Sequence, residues 1–167
     1  MLFRSESGRR TWGRHFMAWC LLFFGVPRVA FSAPASHLSL PKAVSLPAAL
    51  QAALNSREPL VVMVSLPGCP YCTIVREHHL VHLRARGGHV VQVDMAGRQL
   101  LSDFDGQSLT HDAWIRQRQI KLAPTVLFFG PSGKEVAKRL DGAYLPDFYA
   151  AYFDEQYQAA RQAVGGR

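Results

Sequence analysis

Two cysteines in the run Cys69-Pro70-Tyr71-Cys72 follow the apolar stretch Leu60-Val61-Val62-Met63-Val64 and open a segment with helical patterning. A C-x-x-C pair at a strand-to-helix junction can close a small disulfide ring and open it again, and it asks for a strand before and a helix after. The first sulfur then stands at a helix N-terminus, where the macrodipole and free backbone N–H groups favour the nucleophilic thiolate form. A structural zinc site usually needs four ligands, and no cysteine follows Cys72. As an inert staple the pair is poor, because a four-residue loop removes little chain entropy. The redox reading is taken; a metal site and a static pair stand as alternatives.

The first forty residues carry a different message. Arg4, Arg9, Arg10 and Arg14 form a basic region, residues 16–26 are an unbroken apolar or small run, and Ala30, Ser32, Ala33 and Ala35 offer small residues for a peptidase. This is the three-part pattern of a secretory signal, expected to span residues 1–33, with cleavage near 32–35 and export to the periplasm. The apolar run falls short of the roughly 20 residues of a membrane span, so membrane attachment follows only if the signal stays uncleaved. Cys20 lies in the apolar run and leaves with it. The two remaining cysteines are those of the C-x-x-C, so a disulfide-stapled scaffold is excluded. Residues 1–33 hold five Arg and one Glu, a net of +4, which leaves +3 of the chain's +7 for the rest. That modest charge, without a basic run interleaved with aromatics, gives no case for nucleic acid.

Residues 34–44, with Pro34 and Pro41, read as a lead-in linker to a domain over 45–164. Residues 45–56 predict a helix, with Ser45 as cap, Pro47 in the first turn and Leu46, Leu50 and Leu54 repeating every four. Residues 60–66 predict a buried strand, 70–86 a helix stopped by Gly87-Gly88, and 89–95 a second strand. Residues 96–109 read as irregular and 110–119 as a short helix capped by Thr110. Residues 125–129 predict a third strand, 131–133 a turn and 135–140 a hairpin partner. Residues 145–164 predict a long helix with Phe148, Tyr149, Tyr152, Phe153 and Tyr157 inward. The order β-α-β-α-β-β-α, with a leading helix, implies an α/β domain: a mixed sheet of about four strands covered on both faces.

These features together resemble the thioredoxin fold, in particular its exported bacterial members, SoxW-like proteins and the catalytic domains of periplasmic disulfide isomerases. The resemblance covers about residues 45–160. It is carried by Cys69-Pro70-Tyr71-Cys72, Phe104-Asp105-Gly106, Ala123-Pro124-Thr125, Phe128-Phe129, Gly133-Lys134-Glu135-Val136 and Gly142. It implies a thiol–disulfide oxidoreductase with no cofactor beyond a redox-active Cys69–Cys72 disulfide. Cys69 would be the attacking cysteine and Cys72 the buried resolving one. Pro70-Tyr71 matches the glutaredoxin dipeptide. Pro124 would be the family's cis-proline, lying against the sulfur pair and presenting the backbone of Ala123 to an extended substrate. The implied partners are protein thiols or disulfides and an upstream redox protein. The lead-in is too short for the isomerases' separate dimerisation domain, which favours a monomer.

The departures are as informative. Thioredoxins carry a buried Asp six residues before the first cysteine and a Trp just before the motif; here the positions hold Met63 and Gly68. Ala123 replaces the Thr, Val or Ile frequent before the proline. Glu77 is a weak candidate base, since its place on the helix does not aim it at the site. His78 and His82, four residues apart, with His79 between them, would suit a copper or zinc carrier if they joined the cysteines. A solvated helix face is preferred, because Cys69 lies more than two turns from the pair. Lys134, Lys138 and Arg139 read as solvated hairpin residues. A non-catalytic binding module is the remaining alternative.

Overall fold

The computed structural model describes residues 39–143 and 146–165. The expected signal segment, Cys20 and the first part of the lead-in lie outside the described residues. Helix α1 spans Leu46–Asn55; the Ser45 hydroxyl accepts from the Ala48 N–H at 3.3 Å, and Leu46, Leu50 and Ala53 form its buried face. Strand β1 is Leu60–Ser65, buried at every position. Helix α2 (Pro70–Val75) continues through a π turn, Arg76–Leu80, into α3 (Val81–Ala85). Then follow β2 (His89–Asp94), β3 (Leu100–Ser102), β4 (Ser108–Thr110), α4 (His111–Gln117), β5 (Thr125–Phe129), β6 (Leu140–Asp141) and α5 (Pro146–Ala163).

The main sheet runs β2-β1-β5-β6, with β1 parallel to β2 and antiparallel to β5, and β6 antiparallel to β5. Alternation in the strands divides the interior into two cores. Val61, Met63, Val126 and Phe128 face one side with Cys72, Val75, Leu80 and the α5 residues Tyr149, Phe153 and Ala160. Leu60, Val62, Val64, Leu127 and Phe129 face the other, with α1 and Trp114 and Ile115 of α4. Strands apolar at successive positions are thus explained by burial on both faces.

Part of the lead-in is built into the fold. Gln92 N–H donates to Pro41 O and Ala43 N–H to Gln92 O, both at 2.8 Å, so residues 41–43 run parallel beside β2. Ser102 N–H donates to Val44 O at 2.8 Å. The fully buried His111 accepts from the Asp94 N–H at its Nδ1 (3.1 Å) and donates from Nε2 to Ala43 O (2.9 Å).

Five expectations are corrected. Residues 96–109 are not wholly irregular: β3 and β4 pair as a hairpin, with Leu101 buried in the second core. The buried Asp103 carboxylate ties its turn by accepting from Asp105 N–H (3.0 Å) and Gln107 N–H (2.8 Å). The 135–140 partner strand shrinks to one bridge, Phe129–Glu135, and the two residues of β6. Between them the Arg139–Glu135 ion pair and the bond from Lys138 N–H to Gln156 Oε1 hold the chain off the sheet, so Arg139 is half-buried rather than solvated. On α5, Phe148 and Tyr152 are 60% and 50% exposed. They form a stripe beside Tyr149, Phe153 and Ala160, which take the core. The helix expected over 70–86 changes hydrogen-bonding register at its π turn.

Candidate functional site

Cys69 sits at the N-cap of α2, where its Sγ accepts from the Cys72 N–H at 3.2 Å. Its thiol also lies 3.8 Å from the Ala123 carbonyl oxygen. The Ala123–Pro124 peptide bond is cis, and Pro124 is buried while Ala123 and Cys69 are half-buried. The 66–70 loop and the loop before β5 therefore meet at Cys69. Pro70 and Tyr71 are exposed at the start of α2, Tyr71 at 54%. Both cysteines are free thiols in this structure.

Cys72, one turn further, has no exposed surface. Burial is the main force raising its thiol, to about 11, with the bond to Cys69 and the Cys69 charge adding to it; the Leu66 backbone and the Ser65 hydroxyl oppose the rise. The two sulfurs thus differ in access and surroundings although three residues apart: one caps a helix at the surface, the other is held protonated inside.

Met63, in the position of the thioredoxin Asp, is fully buried in the same core as Cys72. A short polar chain approaches from the strand ends. Arg76 donates from Nη2 to Ser65 Oγ (3.3 Å) and from Nε to Gln92 Oε1 (3.2 Å), and Gln92 Nε2 donates to Asp94 Oδ1 (2.6 Å). Lys42 closes the chain on Asp94, and its hydrogen bond, with that of Gln92, holds this carboxyl below its ordinary range against the opposing effect of burial. Ser65, Arg76 and Gln92 were not singled out from sequence, yet two carry a signal. Ser65 follows Val61 and Met63 at the strand period, and Arg76 follows Cys72 at the helical one. The sequence pattern marks Tyr149 only as an inward residue of the last helix. Its buried hydroxyl has no hydrogen-bond partner among the described residues, and burial first, then the Cys72 charge, raises it.

The histidines do not converge. His79 is half-buried against Tyr149 (ring centroids 5.1 Å) and Phe153 (6.0 Å), and burial lowers its basicity, whereas His78 and His82 are exposed. Among the described residues no group of three or more His, Cys, Asp or Glu is placed to hold a metal ion. No described helix is long and apolar enough to cross a membrane.

Comparison with solved structures finds thioredoxin folds. A solution structure of a thioredoxin from Thermus thermophilus is 20% identical, with a TM-score of 0.48 over 75% of this chain and 91% of that one. The reduced periplasmic thioredoxin SoxS from Paracoccus pantotrophus is 19% identical, with a TM-score of 0.40 over 62% and 99%. A DsbH oxidoreductase is 15% identical, with a TM-score of 0.47 over 77% and 90%. No curated protein matches the chain. The model of the thioredoxin-like domain family matches residues 46–157, and the chain, with its mixed sheet and its C-x-x-C at the β1–α2 junction, belongs to that family.

Proposed function

We propose that this chain is an exported thiol–disulfide oxidoreductase that exchanges disulfides with protein substrates through Cys69 and Cys72. The observation that carries the reading is the asymmetry of the pair: Cys69 caps α2 at the surface beside the Ala123 carbonyl, above a Cys72 with no exposure. The Cys69 thiolate attacks one sulfur of a substrate disulfide, forming a mixed disulfide and releasing one substrate thiolate. Cys72 then loses its proton and attacks the Cys69 sulfur. The Cys69–Cys72 disulfide forms and the second substrate thiolate leaves; an upstream dithiol protein restores the reduced pair. The backbone of Ala123 offers an extended segment a strand-like contact. Exposed Leu66 (43%), Tyr71 (54%) and Leu122 (41%), each in or next to the two loops, supply apolar surface suited to a protein partner.

Insulin reduction by a dithiol donor tests the activity. Wild type is expected to accelerate it and Cys69→Ser to abolish the acceleration; equal rates would reject the reading. Export rests on the basic region, apolar run and small residues at the N-terminus. The intact mass of protein from the exported fraction is expected to lack about the first 33 residues, as that signal pattern requires; a full-length mass there would mean a retained anchor.

A further inference from the structure

A cavity of about 350 Å³ opens beside Cys69, on a wall that does not include the Ala123–Pro124 loop. Its lining includes Lys42, Ser65, Gly68, Cys69, Arg76 and Asp94. The volume is at the lower end of the range for small-molecule sites.

Its charges are unevenly satisfied. Asp94, the one carboxylate among the described lining residues, is engaged by Lys42 and by Gln92 Nε2. Arg76 is half-buried and makes its described hydrogen bonds to the neutral oxygens of Ser65 and Gln92. Lys42 and Arg76 against Asp94 leave the lining one positive charge in excess, and Arg76, one helical turn after Cys72, carries it because Lys42 is paired with Asp94. A guanidinium whose bonds run to neutral acceptors retains its full attraction for an anion, and planar two-point pairing favours a carboxylate. The neighbouring reactive atom is the Cys69 sulfur.

We propose that this cavity accepts small disulfides and thiols that bear a carboxylate, with Arg76 holding the carboxylate while the substrate sulfur meets Cys69. This adds a second substrate class to the exchange reaction above and rests on that reading. The chemistry balances without further reactants in one turnover: the reduced pair loses two electrons and two protons, one disulfide bond of the small molecule breaks, and two small thiols leave as the Cys69–Cys72 disulfide forms.

The test uses three small disulfides of similar length: 3,3′-dithiodipropionate (dianionic), bis(2-hydroxyethyl) disulfide (neutral) and cystamine (dicationic). Pre-reduced full-length protein is mixed with each, and the rate of Cys69–Cys72 oxidation is divided by the rate at which free dithiothreitol reduces the same compound. Wild type is expected to favour the dianion over the neutral compound by about tenfold, the scale of one charge-assisted pair, with cystamine slowest. Arg76→Gln should bring the three normalised rates together, and Arg76→Lys should keep their order. The readout is a ratio within each variant, so a general loss of activity or stability does not move it. Three equal normalised rates in wild type would overturn the proposal, as would an order that persists in Arg76→Gln. Should wild type reduce insulin but show no charge order, this inference falls alone. Should it react with neither insulin nor any of the three compounds, the exchange reading has failed as well.

Discussion

Removing Cys69 should make Cys72 easier to ionise. The Cys72 thiol stands at about 11 rather than its ordinary 9.0. Burial is the largest cause, but the other two that raise it are the hydrogen bond and the charge of Cys69. Cys69→Ala deletes both and leaves burial in place, so the Cys72 titration should fall below 11 and stay above 9.0. At pH 8 the thiolate fraction would climb from about one in a thousand toward a ceiling of about one in ten, a span of about 2.7 kcal/mol for two units. A mixed disulfide on Cys69 removes the same charge, so substrate capture itself would prime the resolving sulfur, by at most about a hundredfold. Thiolate ultraviolet absorbance measures this as the difference between Cys69→Ala and the Cys69→Ala/Cys72→Ala double variant, which cancels Cys20 and the tyrosines. A midpoint still near 11 would mean that burial alone holds the proton. A midpoint at or below 9.0 would mean that the Leu66 and Ser65 interactions fully offset burial once Cys69 is gone, and would refute burial as the main cause of the rise.

Ser65→Ala removes a hydroxyl that opposes the rise at Cys72; the Cys72 midpoint should move further up, and release of a chromogenic thiol from the mixed disulfide should slow at fixed pH. An unchanged release rate would exclude Ser65 from the resolving step. The folded chain holds the Cys72 proton to about 11 and an ordinary thiol releases it at 9.0, so the unfolded state ionises first as pH rises. The stability from this group is therefore complete below pH 9 and declines between 9 and 11, by a ceiling of about 2.7 kcal/mol; denaturation of wild type and Cys72→Ala at pH 8 and pH 10.5 should show the extra loss in wild type alone. Gly133→Ala should lower stability by about 2 kcal/mol, because Gly133 has φ +65° and an added Cβ would strike the Phe104 ring; an unchanged melting temperature would contradict that packing.

The strand-helix alternation around the cysteines was legible because burial on both faces leaves continuous apolar runs such as 60–64, and because Ser45 and Thr110 cap their helices through their own side chains. The β3–β4 hairpin was not, since its strands are three residues long and depend on a buried carboxylate, Asp103, that polarity alone assigns to a loop. The α5 periodicity marks a wide apolar band but not which part of it meets the sheet; Tyr152 and Tyr149 differ only by where the helix lies. At the site, the cysteines and the Ala123–Pro124 loop stand out as motif residues. The link from Arg76 to Ser65 and Gln92 joins a helix to two strands, and such a set exists only once the fold has brought them together.

Residues 41–43 lie along the outer side of β2, and Ala43 takes the buried ring N–H of His111. The family match begins only at residue 46. A fragment cut at that point would keep every helix and strand from α1 to α5 yet bare the free N–H and C=O row of β2, a template for pairing with a second chain. It would also strand a histidine donor in the interior, at a cost of about 1–3 kcal/mol. Such a fragment should therefore be less stable and prone to self-association, and the working unit starts upstream of Pro41.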